Sequence, residues 1–67
     1  MEKQSIGENV RTVRRRLNLS QEELAASVGC TRQTVINWET GKARPSRYGI
    51  ARLAKSLGVS TDELVKE

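Results

Sequence analysis

Residues that start and stop helices recur at short intervals along this sequence, and this pattern constrains the fold more than any other feature. Serine or threonine side chains suited to cap helix N-termini stand at Ser5, Ser20, Thr31 and Ser60. Ser20 and Ser60 are each followed three residues later by glutamate, which completes a capping-box pattern. Glycines suited to end helices stand at Gly29, Gly41 and Gly58. The segments between these signals have room only for short helices joined by tight loops.

Apolar residues between these signals recur at helical spacing. The first stripe, which predicts an amphipathic helix of about three turns, consists of Ile6, Val10, Val13 and Leu17. The buried positions expected in the later helices are Leu24, Ala25 and Val28, then Val35 and Trp38, then Ile50, Leu53, Ala54 and Leu57, and finally Leu64. No strand pattern or internal repeat interrupts this order, and Lys42 to Ser46 form a loop. We therefore predict an all-α, compact five-helix domain over residues 5–67, preceded by a flexible arm at residues 1–4.

The composition excludes several kinds of site. The 67 residues fit one small domain, and they include no histidine and a single cysteine, Cys30. A Cys/His zinc site, a disulfide framework and a histidine-dependent nucleophile are therefore excluded. No convergent set of carboxylates or lysines stands out either, so we predict no enzyme activity, no metal and no cofactor. No apolar stretch approaches the length of a signal sequence or a membrane span, so we expect a soluble, cytoplasmic protein.

The basic residues are unevenly distributed. Twelve lysines and arginines against eight acidic residues give a net charge of +4. Between Cys30 and Lys55 the only acidic residue is Glu39, whereas the basic residues there are Arg32, Lys42, Arg44, Arg47, Arg52 and Lys55. This balance suits a polyanion such as nucleic acid, but small basic domains also bind membrane surfaces and acidic proteins. Because the apolar stripe from Ile6 to Leu17 is needed for the core, a membrane role is set aside.

The segment from Ser20 to Gly41 has the form of a helix-turn-helix, in which two short helices are joined by a tight turn containing glycine. Ala25 is small enough for the second helix to cross close to it, and Gly29 suits a left-handed turn conformation. We expect Cys30 to fill a small apolar site rather than to act as a redox or metal-sensing thiol, because no histidine or second thiol accompanies it.

The second of these helices presents an outward face rich in amides. Successive residues of a helix point about 100° apart, so if Val35 and Trp38 point inward, a stripe on the opposite side points outward. This stripe consists of Gln33, Ile36, Asn37 and Thr40, with Arg32 beside it. Glutamine and asparagine pair with adenine, arginine pairs with guanine, and isoleucine contacts a thymine methyl group, so this face suits base edges in the DNA major groove. The alternative is an ordinary polar helix surface, and the capped partner helix across the tight turn favours the first interpretation.

The chain as a whole resembles a known family. From Leu19, the residues LSQEELAASVGCTRQTVINWETGKARPS are similar to the Cro and phage-repressor type of helix-turn-helix domain, often called the Xre family. The resemblance extends over essentially the entire chain, and it implies a five-helix, repressor-like fold that binds operator DNA with the helix at residues 32–40 in the major groove. The sequence departs from the family's usual pattern at Cys30, where an aliphatic residue is more common, and at Ile36, which is apolar on an exposed face.

The resemblance also assigns roles to individual residues. The family's base-reading positions correspond to Arg32, Gln33 and Asn37, to which we add the neighbouring Ile36. Contacts to the DNA backbone are expected from Gln21, which matches the family's phosphate-contacting glutamine, and from Thr31, Thr34, Thr40, Lys42, Arg44 and Arg47. The last three match more loosely, since the length of this loop varies in the family. The arginine and glutamate that match Arg14 and Glu39 form an ion pair in the family, which implies a buried or half-buried structural pair here.

Together these features predict a sequence-specific, double-stranded-DNA-binding transcriptional regulator of the repressor type. A homodimer, formed in solution or only on DNA, would occupy a palindromic operator whose half-sites lie one DNA turn, about 34 Å, apart. We expect the dimer contact to lie at the last helix, with Val59, Leu64 and Val65 as the candidate side chains. Leu57 of the same chain could equally cover Val59 and Leu64. The alternative is an antitoxin or immunity-type protein that acts mainly through a protein partner, although few residues follow Leu64 to form a partner-binding tail.

Overall fold

A computed structural model describes residues 5–66 of the chain as five α-helices. The helices are α1 (Ile6–Arg16), α2 (Gln21–Val28), α3 (Arg32–Thr40), α4 (Arg47–Leu57) and α5 (Thr61–Val65). No strand occurs among these described residues, so the predicted all-α, five-helix class is confirmed. The predicted arm at residues 1–4 lies outside the described residues, as does residue 67.

Local capping interactions set the helix boundaries. A side-chain hydroxyl accepts a backbone N–H three residues further along at Ser5, Ser20, Thr31, Ser46 and Ser60. The carboxylates of Glu8 and Glu23 in turn accept a hydrogen bond from the backbone N–H of their capping serines, which completes capping boxes on α1 and α2. Left-handed glycines close α2, α3 and α4 at Gly29, Gly41 and Gly58. The chain therefore uses the predicted caps and glycines, with two differences. Ser46, which the sequence analysis did not single out, caps α4. The capping box predicted at Ser60 is incomplete, because Ser60 accepts the backbone N–H of Glu63 while the Glu63 carboxylate lies 3.6 Å from Lys66 Nζ.

The core is aliphatic and lies where the helices meet. Its largest fully buried side chains are Leu24, Leu53, Leu64, Val10 and Val35. The prediction for Leu17 is wrong: this side chain is 46% exposed, because α1 ends before it and the chain turns through a left-handed conformation at Asn18. Leu19 packs against the core instead. Trp38 and Ile50 are half-buried at the edge of the core.

The way the helices pack leaves one face of α3 uncovered. α1 contacts α3, α4 and α5, and α2 contacts α3 and α4. α2 and α3 are joined by the tight turn through Gly29, so they form the predicted helix-turn-helix pair. α3 rests on α1 and α2, and its other side faces outward. Within residues 5–66, no helix combines the length and the apolar character needed to cross a bilayer.

The last helix is anchored to the first through the core and one buried amide. Leu64 is fully buried, so the chain's own core covers it and it is not available as a dimer contact. Val65 remains 39% exposed, whereas Val59 is half-buried against the core. The Asn9 side chain is itself buried, and its Nδ2 donates to the carbonyl oxygens of Leu64 and Lys66 at 2.7 and 2.8 Å. This amide therefore holds the C-terminal end of α5 against α1.

Candidate nucleic-acid interface

The open face of α3 carries the residues that the helical period predicts. Val35 is fully buried and Trp38 half-buried on the inner side. The outer stripe consists of exposed Arg32, Gln33 and Thr40 and half-buried Ile36 and Asn37. Ile36 is therefore less exposed than the sequence predicts, because it lies only about 100° from Val35 around the helix axis.

Two amide side chains on this face are bonded to each other. Gln33 Nε2 donates to Asn37 Oδ1 at 3.0 Å, across one helical turn. Each side chain keeps free groups, since Gln33 retains its oxygen and a second N–H, and Asn37 retains its NH₂ group. Gln33 can therefore still offer the donor and acceptor pair that matches an adenine edge, while Asn37 holds it in a fixed orientation.

The three threonines expected at the DNA backbone are partly engaged within the protein. Thr31 Oγ1 accepts the backbone N–H of Thr34, and the two hydroxyl oxygens lie 2.9 Å apart. One hydroxyl proton of this pair is left for an outside acceptor. The Thr40 hydroxyl donates to the Ile36 carbonyl oxygen at 2.9 Å, so in this rotamer it has no proton for a phosphate oxygen.

A buried carboxylate ties the start of α2 to α1 and α3. Glu39 is 3% exposed and accepts Arg14 Nε on Oε2 at 2.6 Å and Arg14 Nη2 on Oε1 at 3.2 Å. Gln21 Nε2 donates to the same Oε1 at 3.1 Å, and Arg11 Nε lies 3.6 Å from it. Arg14 Nη1 also donates to the Leu19 carbonyl oxygen at 2.8 Å. Arg14 and Glu39 thus form a buried two-point ion pair, and the first residue of α2 is fixed relative to α3.

The charge state of Glu39 follows from two opposed effects. Burial disfavours the ionised carboxylate and raises the pKa of Glu39. Hydrogen bonds from Arg14 and Gln21 and the positive charges of Arg14 and Arg11 lower it by more, so the pKa of Glu39 lies below its usual 4.5. The carboxylate is therefore ionised at neutral pH and keeps its hold on Gln21. The Gln21 amide is half-buried and retains a second N–H for an outside acceptor.

The lowered pKa of Glu39 predicts a loss of stability in acid. A carboxyl group whose pKa is lower in the folded chain stabilises that state fully above its unfolded pKa, near 4.5, and loses this contribution as pH falls through the folded pKa. Urea unfolding at a series of pH values below neutrality should therefore show a falling free energy of unfolding in this acid range. A double variant with Arg14→Leu and Glu39→Leu should show a shallower fall, and an identical pH dependence would contradict the assignment.

Several basic side chains at the start of α3 and on the segments next to it in the chain are exposed. Lys42, Arg44 and Arg47, on the loop after α3 and at the start of α4, are exposed and pair with no acid among residues 5–66. Arg15 and Arg32 are likewise exposed and unpaired within the described part of the chain. The exposed surface therefore carries several uncompensated positive charges, which attract a polyanion.

One cation of the basic segment has a structural role that the sequence analysis missed. Arg52 Nε donates to the Val28 carbonyl oxygen at the end of α2 at 2.9 Å. Its Nη1 donates to the Tyr48 hydroxyl at 3.1 Å, and its guanidinium lies 5.5 Å from the centre of the Tyr48 ring. Arg52 therefore caps α2 from α4. Its spacing of four residues from Tyr48 is the signal that could have indicated an engaged side chain.

Cys30 behaves as a packing residue. It is half-buried against the core, and burial raises the pKa of its thiol while the nearby charge of Arg52 lowers it by less. The thiol is therefore protonated at neutral pH, which disfavours a reactive role. Among residues 5–66, no group of cysteine, aspartate and glutamate side chains could hold a metal ion.

Comparisons with known proteins identify relatives of this chain. The helix-turn-helix family model matches residues 10–64. An uncharacterized HTH-type transcriptional regulator of Methanothermobacter thermautotrophicus is 49% identical over 49 residues, which cover 73% of this chain and 71% of that protein. The repressor protein C2 of Salmonella phage P22 is 32% identical over 66 residues, which cover 98% of this chain and 31% of the repressor. The chain thus spans about a third of that repressor's length.

Solved structures of the P22 c2 repressor have the same architecture. The NMR structure of its DNA-binding domain superposes with a TM-score of 0.94 at 32% identity, over 98% of this chain and 87% of that domain. The crystal structure of the same repressor in complex with a synthetic operator gives a TM-score of 0.88 at 32% identity, over 94% of this chain and 96% of that one. The predicted repressor-like architecture is confirmed. The chain belongs to the helix-turn-helix family of transcriptional regulators, of the Cro and phage-repressor (Xre) type.

Proposed function

We propose that this chain binds double-stranded DNA in a sequence-specific manner and acts as a repressor-like transcriptional regulator, with α3 in the major groove. The observation that carries the proposal is the open face of α3, where the amides of Gln33 and Asn37 are bonded to each other and unpaired Arg32 precedes them on the same helix. Such a face matches base edges at its centre and phosphates at its margins. The similarity to the P22 c2 repressor, solved in complex with a synthetic operator, supports the same partner.

The proposed contacts divide into base reading and backbone binding. Gln33 and Asn37 would hydrogen bond to base edges, and Ile36 would contact a thymine methyl group. Phosphate contacts would come from Gln21, from Thr31 or Thr34, and from Lys42, Arg44 and Arg47. Because Glu39 fixes Gln21 relative to α3, a phosphate held by Gln21 sets the depth at which α3 enters the groove.

We also propose that the protein acts inside the cell as a homodimer on a palindromic operator. A single α3 contacts few base pairs, and two half-sites about 34 Å apart would combine the affinities of two copies. Val65, which is 39% exposed, is the apolar side chain that α5 offers for a contact between copies. Gel filtration of the protein alone and of its complex with DNA distinguishes a dimer formed in solution from one formed only on DNA.

The substitution Gln33→Ala is expected to weaken binding to the preferred duplex by about 1–3 kcal/mol and to relax the preference at one base position, because it removes the groups that read that base. Arg44→Ala is the contrasting variant. It should weaken binding to all sequences alike and lower the slope of log K against log salt by about 0.9. Fluorescence anisotropy with the preferred duplex and its single-base variants measures both. Uniform weakening by Gln33→Ala would argue against base reading.

Selection of bound sequences from a randomised duplex pool at near-physiological salt tests the proposed function directly. An enriched palindrome with half-sites one DNA turn apart supports a dimeric operator-binding protein. Binding that depends strongly on salt but enriches no sequence would overturn sequence-specific recognition. The alternative from the sequence, an antitoxin or immunity-type protein acting through a protein partner, would then lead. No feature of residues 5–66 favours that alternative over DNA binding.

A further inference from the structure

A second cluster of basic side chains lies where α1, α2 and α3 meet. A shallow depression of about 330 Å³ at this junction is lined by Arg14, Arg15, Ser20, Gln21, Glu22 and Arg32. Arg14 is committed to Glu39 and to the Leu19 carbonyl oxygen. Arg15 and Arg32 pair with no acid among residues 5–66, so their guanidinium donors are available.

The two available arginines come from different helices. Arg15 lies in the last turn of α1 and Arg32 is the first residue of α3, yet both line the same depression as Gln21. Glu22 also lines it, but its carboxylate is not within ion-pair distance of either arginine. A guanidinium presents planar, paired donors that match phosphate oxygens. Two guanidinium groups and the free N–H of Gln21 around one depression suit a phosphate.

We infer that Arg15 and Arg32 clamp one phosphate of the DNA backbone beside Gln21, so that Arg32 positions the protein and does not read a base. The inference rests on the proposed DNA binding of this chain and refines it. It changes the prediction from the sequence, which gave Arg32 a base-reading role and gave Arg15 none. The base-reading set is then reduced to Gln33, Ile36 and Asn37.

The placement of Arg32 carries this reassignment. Its side chain lines a depression formed with α1 and α2, whereas the next residue, Gln33, is bonded along α3 to Asn37. Successive helical residues point about 100° apart, so Arg32 and Gln33 face different parts of a bound duplex. A side chain that shares a depression with Gln21 would contact the same segment of the DNA backbone as Gln21, whereas Gln33 would contact base edges at the floor of the groove.

Arg16 provides a matched control next to Arg15 in the chain. Both residues are exposed and both lie in the last turn of α1. Arg16, however, lines a different depression, with Glu63 and Lys66 on the side of α5. An effect of net charge alone would therefore be equal at Arg15 and Arg16, whereas the clamp requires an effect at Arg15 only.

The test compares duplex binding by the unmodified protein and by the variants R15Q, R32Q and R16Q between about 50 and 200 mM salt. The preferred sequence and its single-base variants are both used. We expect R15Q and R32Q each to weaken binding roughly tenfold on every sequence and to lower the slope of log K against log salt by about 0.9. R16Q should change neither the affinity nor the slope. Thermal melting followed by circular dichroism checks that each variant is folded.

Each failure of this test has a distinct form. Loss of preference at one base position in R32Q would overturn the inference, because Arg32 would then read a base. Equal effects of R15Q and R16Q would overturn it as well, since both would then act through general attraction. A lack of duplex binding by the unmodified protein would overturn the proposed function, and the inference with it.

Discussion

Replacing the buried Glu39 by glutamine is expected to lower the free energy of unfolding by about 3–5 kcal/mol. The Arg14 side chain, which is 10% exposed, would be left without its counter-charge. Gln21 and Arg11 would also lose the carboxylate that they share with Arg14. The total stability of a domain of this length is about 3–10 kcal/mol, so the substitution should remove about a third of it or more.

Urea unfolding followed by circular dichroism measures the effect of Glu39→Gln. Glu22→Gln is the control, because Glu22 is exposed and pairs with no base among residues 5–66, and it should change stability by less than about 0.5 kcal/mol. The double variant with Arg14→Leu and Glu39→Leu should recover part of the loss, since no buried charge is then left unpaired. A loss below about 1 kcal/mol in Glu39→Gln would mean that the pair is no stronger than a surface ion pair.

The parts of this fold that sequence predicts well are those fixed by neighbouring residues. The serine and threonine caps and the left-handed glycines act within a few residues, so the start of α1 and both ends of α2 and α3 follow from local patterns. Leu17 shows where local reasoning stops. The apolar period continues through it, but the chain leaves the helix through a left-handed conformation at Asn18, and no glycine marks that exit.

Contacts between distant residues could not be predicted in the same way. Asn9 holds the end of α5 across 55 positions of sequence, and Arg52 caps α2 across 24. In the candidate site, the helical period predicts which side chains of α3 point outward. It does not predict the partial burial of Ile36, which depends on packing, or the internal hydrogen bond of Thr40, which depends on its rotamer. Arg15 lines the same depression as Arg32 because of the angle at which α1 and α3 cross, and residue spacing does not predict that angle.

Gly7→Ala is expected to lower the free energy of unfolding by about 3 kcal/mol, although alanine is the better helix former. Gly7 is a buried residue of α1 at its crossing with α3. A Cβ added there would overlap the Trp38 carbonyl oxygen and lie 3.0 Å from the Glu39 carbonyl oxygen. Both are backbone atoms, so no side-chain rotation relieves the overlap and the two helices must separate.

Gly49→Ala is the matched control for this substitution, because Gly49 is also helical but has ordinary space around it. An added Cβ there would lie 3.5 Å from its nearest neighbour, the Pro45 Cβ, so alanine should stabilise the domain by about 0.5–1 kcal/mol. Parallel urea unfolding of the two variants measures the difference, and stabilisation by both would contradict the close approach. Opposite signs would show that the crossing of α1 and α3 outweighs helix propensity. Because Glu39 lies in the displaced segment and orients Gln21, Gly7→Ala should also weaken duplex binding.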